Sequence, residues 1–114
     1  MQYHGSCHCG AVKISFSGDF GPALSCNCSI CSRKGSLLWF MPRESCKLAG
    51  EDSLATYTFN KHVIKHRFCK TCGVQPLGEG VDPQGKAIAA VNIRCLDDFD
   101  FTTVPVHPYD GRSA

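Results

Sequence analysis

Cys69-Lys70-Thr71-Cys72-Gly73 is the stretch that decides how this chain folds. The spacing C-x-x-C puts two sulfurs on one tight turn, and the glycine after it lets backbone amides point at sulfur. Such a turn is half of a metal site. Cys7 and Cys9 form a second pair, C-x-C, and Cys26, Cys28 and Cys31 form a third group, C-x-C-x-x-C. Zn²⁺ binds thiolates at ~2.3 Å and prefers four ligands in a tetrahedron. The two outer pairs supply four sulfurs, and the middle group supplies three. The simplest partition is a closed zinc on Cys7, Cys9, Cys69 and Cys72 and an open zinc on Cys26, Cys28 and Cys31. Closed sites are structural, whereas catalytic sites keep a position for water or substrate. Two alternatives stand beside this one. Cys46 or Cys95 supplies a fourth sulfur and closes the middle site, or the middle group forms a disulfide and does redox chemistry. Cys46 shares parity with Leu48, and Cys95 with Ile93, which favours core positions for both.

The rest of the composition explains why a metal staple is needed. Leu, Ile, Val and Phe make up about 23% of the 114 residues, enough for one thin core. Length allows a single domain, residues 1–114. Nine cysteines, about 8%, approach the level of a disulfide scaffold or metal site, and their odd number leaves one unpaired in any all-disulfide scheme. The formal charge of +2 does not imply a nucleic-acid partner. Residues 1–10 lack the apolar stretch of an export signal, and the longest apolar run, 37–41, is far too short to cross a membrane. A reducing, cytoplasmic location is expected, where clustered cysteines bind metals or act chemically more often than they pair.

The remaining pattern reads as mainly β with little helix. Val12, Ile14 and Phe16 alternate with polar residues, a period of two. Residues 37–41 read as a strand closed by Pro42. Ala55, Tyr57 and Phe59 alternate with Thr56 and Thr58, and after Asn60 and Lys61 the chain turns back through His62, Ile64, His66 and Phe68, a hairpin. Residues 87–95 are the longest strand candidate, with Val91, Ile93 and Cys95 on one face. One short helical turn is expected within 28–34, ended by Gly35, and 104–114 reads as an irregular tail that docks over the sheet through Val106 and Tyr109.

Three anionic sulfurs make an open zinc a poor generator of hydroxide. They suit it to hold a fourth, incoming thiolate, because sulfur is the soft partner zinc accepts. A thiol held there is kept deprotonated as a nucleophile. The reaction class is therefore thiol addition to an electrophile, or its reversal as carbon–sulfur cleavage.

Several segments also resemble one family. Gly5-Ser6-Cys7-His8-Cys9-Gly10-Ala11-Val12, Cys26-Asn27-Cys28-Ser29-Ile30-Cys31 and Phe68-Cys69-Lys70-Thr71-Cys72-Gly73-Val74-Gln75-Pro76 resemble the glutathione-dependent formaldehyde-activating enzyme family, also called the centromere protein V family. Val91-Asn92-Ile93-Arg94-Cys95-Leu96-Asp97 and Tyr109-Asp110-Gly111-Arg112 are similar to it too. The resemblance implies a zinc-stapled β-tent of small coiled antiparallel sheets. It implies an S-hydroxymethylglutathione synthase-like activity, formally a carbon–sulfur lyase, with glutathione and formaldehyde as partners. It also implies two zinc ions, structural on Cys7, Cys9, Cys69 and Cys72 and catalytic on Cys26, Cys28 and Cys31.

Weaker candidates carry a plainer reading. Trp39 and Phe40 either wall a pocket or pack the core. Arg33, Lys34 and Arg94 either meet glutathione carboxylates or form a solvated face. His8 points away from the metal, and His62 and His66, sharing a face with Ile64, read as hydrogen-bonded structure. The competing functions are a non-catalytic, zinc-stabilised binding module of the same fold and a chromatin accessory role. The near-neutral charge counts against the last.

Overall fold

In the computed structural model, which describes residues 1–59 and 61–111, the chain is mainly β. A three-stranded sheet has the order β1-β2-β5: β1 Gln2–Ser6, β2 Lys13–Ser17 and β5 Lys47–Ala49. A seven-stranded sheet has the order β10-β3-β4-β9-β8-β7-β6. Its strands are β3 Ala23–Cys26, β4 Leu38–Pro42, β6 Leu54–Tyr57, β7 Lys65–Cys69, β8 Leu77–Val81, β9 Ala87–Asn92 and β10 Val106–Tyr109. Every pairing is antiparallel except β3 with β10, which is parallel. The helix α1, Cys31–Lys34, is one turn long and ends on Gly35 in a left-handed conformation. Among the described residues no helix is long and apolar enough to cross a membrane.

The period-two pattern of β2 does what alternation requires. Val12, Ile14 and Phe16 are 2% exposed or less and face inward. They join Trp39, Met41, Ala89, Val91 and Leu77 of the large sheet in one buried cluster. Aromatic rings rivet the two sheets together. Trp39 on β4 stacks on Phe20 at 4.8 Å and meets Tyr3 of β1 edge-on at 5.2 Å. Its indole Nε1 donates to the Gly21 carbonyl at 3.1 Å, so burial leaves no donor stranded. Trp39 is thus core, while Phe40, next along the strand, points outward at 46% exposed.

Two expectations are corrected. The strand over 87–95 stops at Asn92, and Ile93–Cys95 form a 3₁₀ turn. The Asn92 side chain accepts from the Arg94 amide, a local bond that competes with the ladder and removes Cys95 from the strand face. β6 is the outer strand of its sheet, Leu54 alone is buried on it, and Tyr57 is 51% exposed. The segment read as an irregular tail contains β10, whose Pro108 is tolerated because the strand lies at the sheet edge. The hairpin of β6 and β7 is present, with Leu54 opposite Cys69 and Tyr57 opposite His66. Asn60, at its turn, and Arg112, in the last resembling segment, lie outside the described residues.

One ionic network ties β7 and β8 to the loop after β4. Glu79 accepts from Arg43 Nε at 3.0 Å and from Arg67 Nη1, and Arg43 also donates to the Cys46 carbonyl at 2.8 Å. Burial opposes ionisation of Glu79, but the hydrogen bonds from Arg67 and Arg43 outweigh it and hold the carboxyl below its ordinary value. The folded state therefore binds this proton less readily than the unfolded chain. The pair stabilises the fold above the ordinary pKa of 4.5, and that stabilisation is lost as pH falls through the lowered value. Glu79→Gln should cost about 2 kcal/mol near neutrality, since it removes the carboxylate charge that Arg67 and Arg43 share, while Arg43 keeps Glu51 and the Cys46 carbonyl. It should also flatten the loss of stability in acid; urea melts of both proteins across that pH range check this.

Candidate metal centre

Two turns of the same design build the first cluster. After β1, the Cys7 amide donates to the Val12 carbonyl at 3.0 Å and the Gly10 amide to the Cys7 carbonyl at 3.2 Å. After β7, the Cys69 amide donates to the Val74 carbonyl and the Gly73 amide to the Cys69 carbonyl, both at 2.9 Å. Gly10 and Gly73 take φ of +81° and +79°, a conformation that costs other residues strain. The turns bring Cys7, Cys9, Cys69 and Cys72 together with all four sulfurs within 4.8 Å of one another. Cys9 Sγ lies 3.6 Å from both Cys7 Sγ and Cys69 Sγ. That is far beyond a disulfide bond and close to the ~3.8 Å edge of a tetrahedron with ~2.3 Å metal–sulfur bonds. The donor set therefore fits a Zn²⁺ ion.

The turn amides also prepare the ligands. The Val74 amide, then the Cys9 amide, pull the Cys72 thiol down to about 6, and the Cys72 amide leads in lowering Cys69. The Ala11 amide lowers Cys9, but hydrogen bonding to Cys69, burial and the remaining thiols outweigh it and push Cys9 up to about 11. The metal-free cluster is thus a mix of thiolates and thiols, and metal binding releases the protons that remain. Cys95 stands nearby, raised to about 11 by burial and then by Cys7 and Cys72, but its sulfur faces the Gln75 carbonyl at 3.9 Å.

The second cluster is Cys26 at the end of β3, Cys28 in the following loop and Cys31 at the start of α1. Their sulfurs also lie within 4.8 Å of one another, and all three are half-buried. No fourth sulfur joins them among the described residues. Cys46 is buried in the hydrophobic core, and Cys95 sits beside the other cluster. Burial would raise Cys28, but the Cys31 amide and the neighbouring thiols bring it down overall; burial, then Cys28, drives Cys31 up to about 12.

The C-terminal segment closes over this cluster, a feature the sequence reading missed. Tyr109 of β10 is the register partner of Cys26, and its carbonyl accepts from the Asn27 amide at 3.1 Å. Asn27 Nδ2 donates to Asp110 Oδ1 at 3.1 Å. A Cβ on Gly111 would lie 2.5 Å from Cys26 Sγ, so only glycine lets the backbone come this close. Gly111 is part of the Tyr109-Asp110-Gly111-Arg112 stretch, which was the signal available in the sequence.

A cavity of about 560 Å³ is lined by residues close in sequence to both clusters, though by none of the cysteines themselves. Ile30 and Lys34 line it from the side of Cys31, Val74 and Gln75 from the turn holding Cys72, and Tyr57 and His66 from the β6–β7 hairpin. Lys34 Nζ donates to Gln75 Oε1 at 2.5 Å, and Gln75 Nε2 donates to the Leu77 carbonyl at 3.2 Å, which fixes the amide's orientation. Burial lowers the Lys34 pKa, opposed by Cys31 and Cys28. The other cations are elsewhere. Arg33 Nη1 bonds the Ser29 carbonyl at 2.6 Å, and Arg94 lies 4.6 Å over the Phe101 ring. His8 is exposed, and His62 Nδ1 pairs with Thr58 Oγ1 at 2.8 Å. The expectation that His66 is hydrogen-bonded structure is corrected: it faces the cavity, and Ile64 is 56% exposed.

Cys7→Ser or Cys69→Ser should unfold the domain or lower its melting temperature sharply, because structural metal in small domains contributes ~10 kcal/mol or more to folding. Thermal melts with and without a strong chelator test this, and an unchanged melting temperature for both variants would sink the assignment. Gly111→Ala should weaken metal at the Cys26 cluster and leave the first cluster loaded, as read by metal content after dialysis against a mild chelator.

The comparisons with known proteins agree with this geometry. A family model described as glutathione-dependent formaldehyde-activating enzyme matches residues 2–110. The fold is similar to the crystal structure of a Rhodobacter sphaeroides protein, with a TM-score of 0.78 and 29% identity over 91% of this chain and 99% of that one. The match runs through both cysteine clusters and the strands that carry them, and the chain belongs to the glutathione-dependent formaldehyde-activating enzyme family.

Proposed function

We propose that residues 1–114 form one zinc-binding domain that acts as a carbon–sulfur lyase on thiol–aldehyde adducts. Its reaction joins glutathione and formaldehyde as S-hydroxymethylglutathione. In this reading Cys7, Cys9, Cys69 and Cys72 hold a structural zinc, and Cys26, Cys28 and Cys31 hold a catalytic one. The observation that carries it is the inequality of the clusters: four sulfurs in one and three half-buried sulfurs in the other, whose sequence neighbours Ile30 and Lys34 line a cavity. Zinc at the three-sulfur cluster would supply a soft acceptor that keeps an incoming thiol deprotonated. The chain's own residues do the rest. Lys34, fixed by Gln75 at the cavity wall, offsets the negative charge that a fourth sulfur brings. The C-terminal segment shields one side of Cys26. The thiol sulfur adds to the aldehyde carbon, the C=O pair moves to oxygen, and the thiol's proton ends on that oxygen, so the step balances without an oxidant.

Cys28→Ser should leave the fold nearly intact, remove one of two zinc ions and abolish lyase activity. Retention of both zincs by this variant would show that Cys28 is not a ligand. Cobalt-loaded protein titrated with glutathione should change its sulfur-to-cobalt absorption bands, and Cys28→Ser should lose that response. A spectrum that stays flat up to the millimolar order of glutathione would replace the lyase with a zinc-stapled binding module.

A further inference from the structure

His66 is a largely buried imidazole whose ring nitrogens are left open to the cavity that it lines. It is 7% exposed, and among the described residues nothing hydrogen-bonds its ring. Phe59 stacks on it at 5.4 Å with an interplanar angle of 21°, and the Tyr57 ring lies 6.4 Å away. On β7 it stands between Tyr57 of β6 and Gly78 of β8, so its β8 neighbour brings no side chain to cover it. Arg67 and Glu79, the next residues along these strands, point to the opposite face and pair with each other there. What remains in front of the ring is the cavity, with Lys34 and Gln75 on its far wall. The ring therefore faces a cavity that Ile30, the residue before Cys31, and Lys34 of α1 also line.

Resting on the lyase reading above, we infer that His66 is the proton-transfer residue of this cavity. It takes the proton of the entering thiol as the thiol binds, before sulfur adds to the aldehyde carbon, and then gives that proton to the oxygen. The S–H bond breaks, the C–S bond forms, the C=O pair becomes the hydroxyl oxygen's, and His66 returns to its neutral state. Cleavage runs the same steps backwards. A general base acts directly or through one water, and the cavity has room for both a small adduct and a water. The groups facing the ring suit this role. Burial, then the Lys34 charge, lowers the His66 pKa from 6.5, so the ring is neutral and able to accept a proton at neutral pH. Tyr57 from β6 is the other titratable group against it, and Phe59 holds the ring plane.

The test follows exchange of formaldehyde between S-hydroxymethylglutathione and solution by NMR, with zinc-loaded protein over a range of pH. Wild-type kcat/KM should fall in acid with a midpoint below 6.5. His66→Gln should lose about 100-fold in kcat and lose that acid limb, while its zinc content and its cobalt response to glutathione stay unchanged. A second readout needs no turnover: the His66 Cε1–H resonance of wild-type protein, whose titration midpoint should move when glutathione saturates the cavity. Accelerated exchange with an unchanged His66→Gln profile would overturn the role of His66 and leave the lyase reading standing. Exchange at the uncatalysed rate in wild type would overturn both. Where His66→Gln melts early, the wild-type resonance decides, and a midpoint that ignores glutathione overturns the role.

Discussion

The rest of the structure depends on four thiols from turns sixty residues apart meeting around one point. Each turn is too short to hold a fold by itself. Joined, they fix the end of β1 against the end of β7 and so fix the small sheet against the large one. A cross-link over so long a loop removes roughly 4 kcal/mol of unfolded-state entropy on the disulfide model. A thin apolar core gains much from that. The aromatic cluster around Trp39 adds to the same inter-sheet contact, so the cysteines and the rings act on one interface from different places.

The second cluster is assembled by different means. Its three cysteines are close in sequence, and local chain geometry alone keeps them near each other. What the fold adds is a setting: β10 runs parallel to β3, and the backbone at Gly111 presses on Cys26. One side of the cluster is covered by main chain, and Ile30 and Lys34 beside Cys31 line a cavity. Burial does not separate the clusters: Cys7 and Cys69 are 2% and 0% exposed, but Cys9 is exposed and Cys72 is half-buried like the second cluster. The difference is in ligand number, three sulfurs against a closed four-sulfur set.

The cavity itself is a product of strand order. β6 and β7 are remote in sequence from α1, yet the hairpin they form supplies the wall opposite Lys34. Because β6 is an edge strand, its outer residues are free to turn aromatic rings toward the cavity instead of into the core. Tyr57 does this, with Phe59 stacked on it at 5.7 Å.

Cysteine spacing alone separated seven thiols into three groups and singled out Cys46 and Cys95 as different, because chelation by short turns is a local property. Alternation alone identified β2, the β6–β7 hairpin and the mainly β class, since a buried sheet face imposes its period on the residues it covers. Some features had no local signal. β8 is written Leu77-Gly78-Glu79-Gly80-Val81, which lacks side chains to show a pattern, and it is a strand because β7 and β9 pair with it on both sides. β10 exists because β3 offers it a free edge. Above all, His66 on sequence is one polar residue in a strand, and what it touches depends on β6, β8 and α1 arriving from separate parts of the chain. Ligand identity is set by residue type at short range, whereas the surroundings of a side chain are set by pairings that only the folded chain can make.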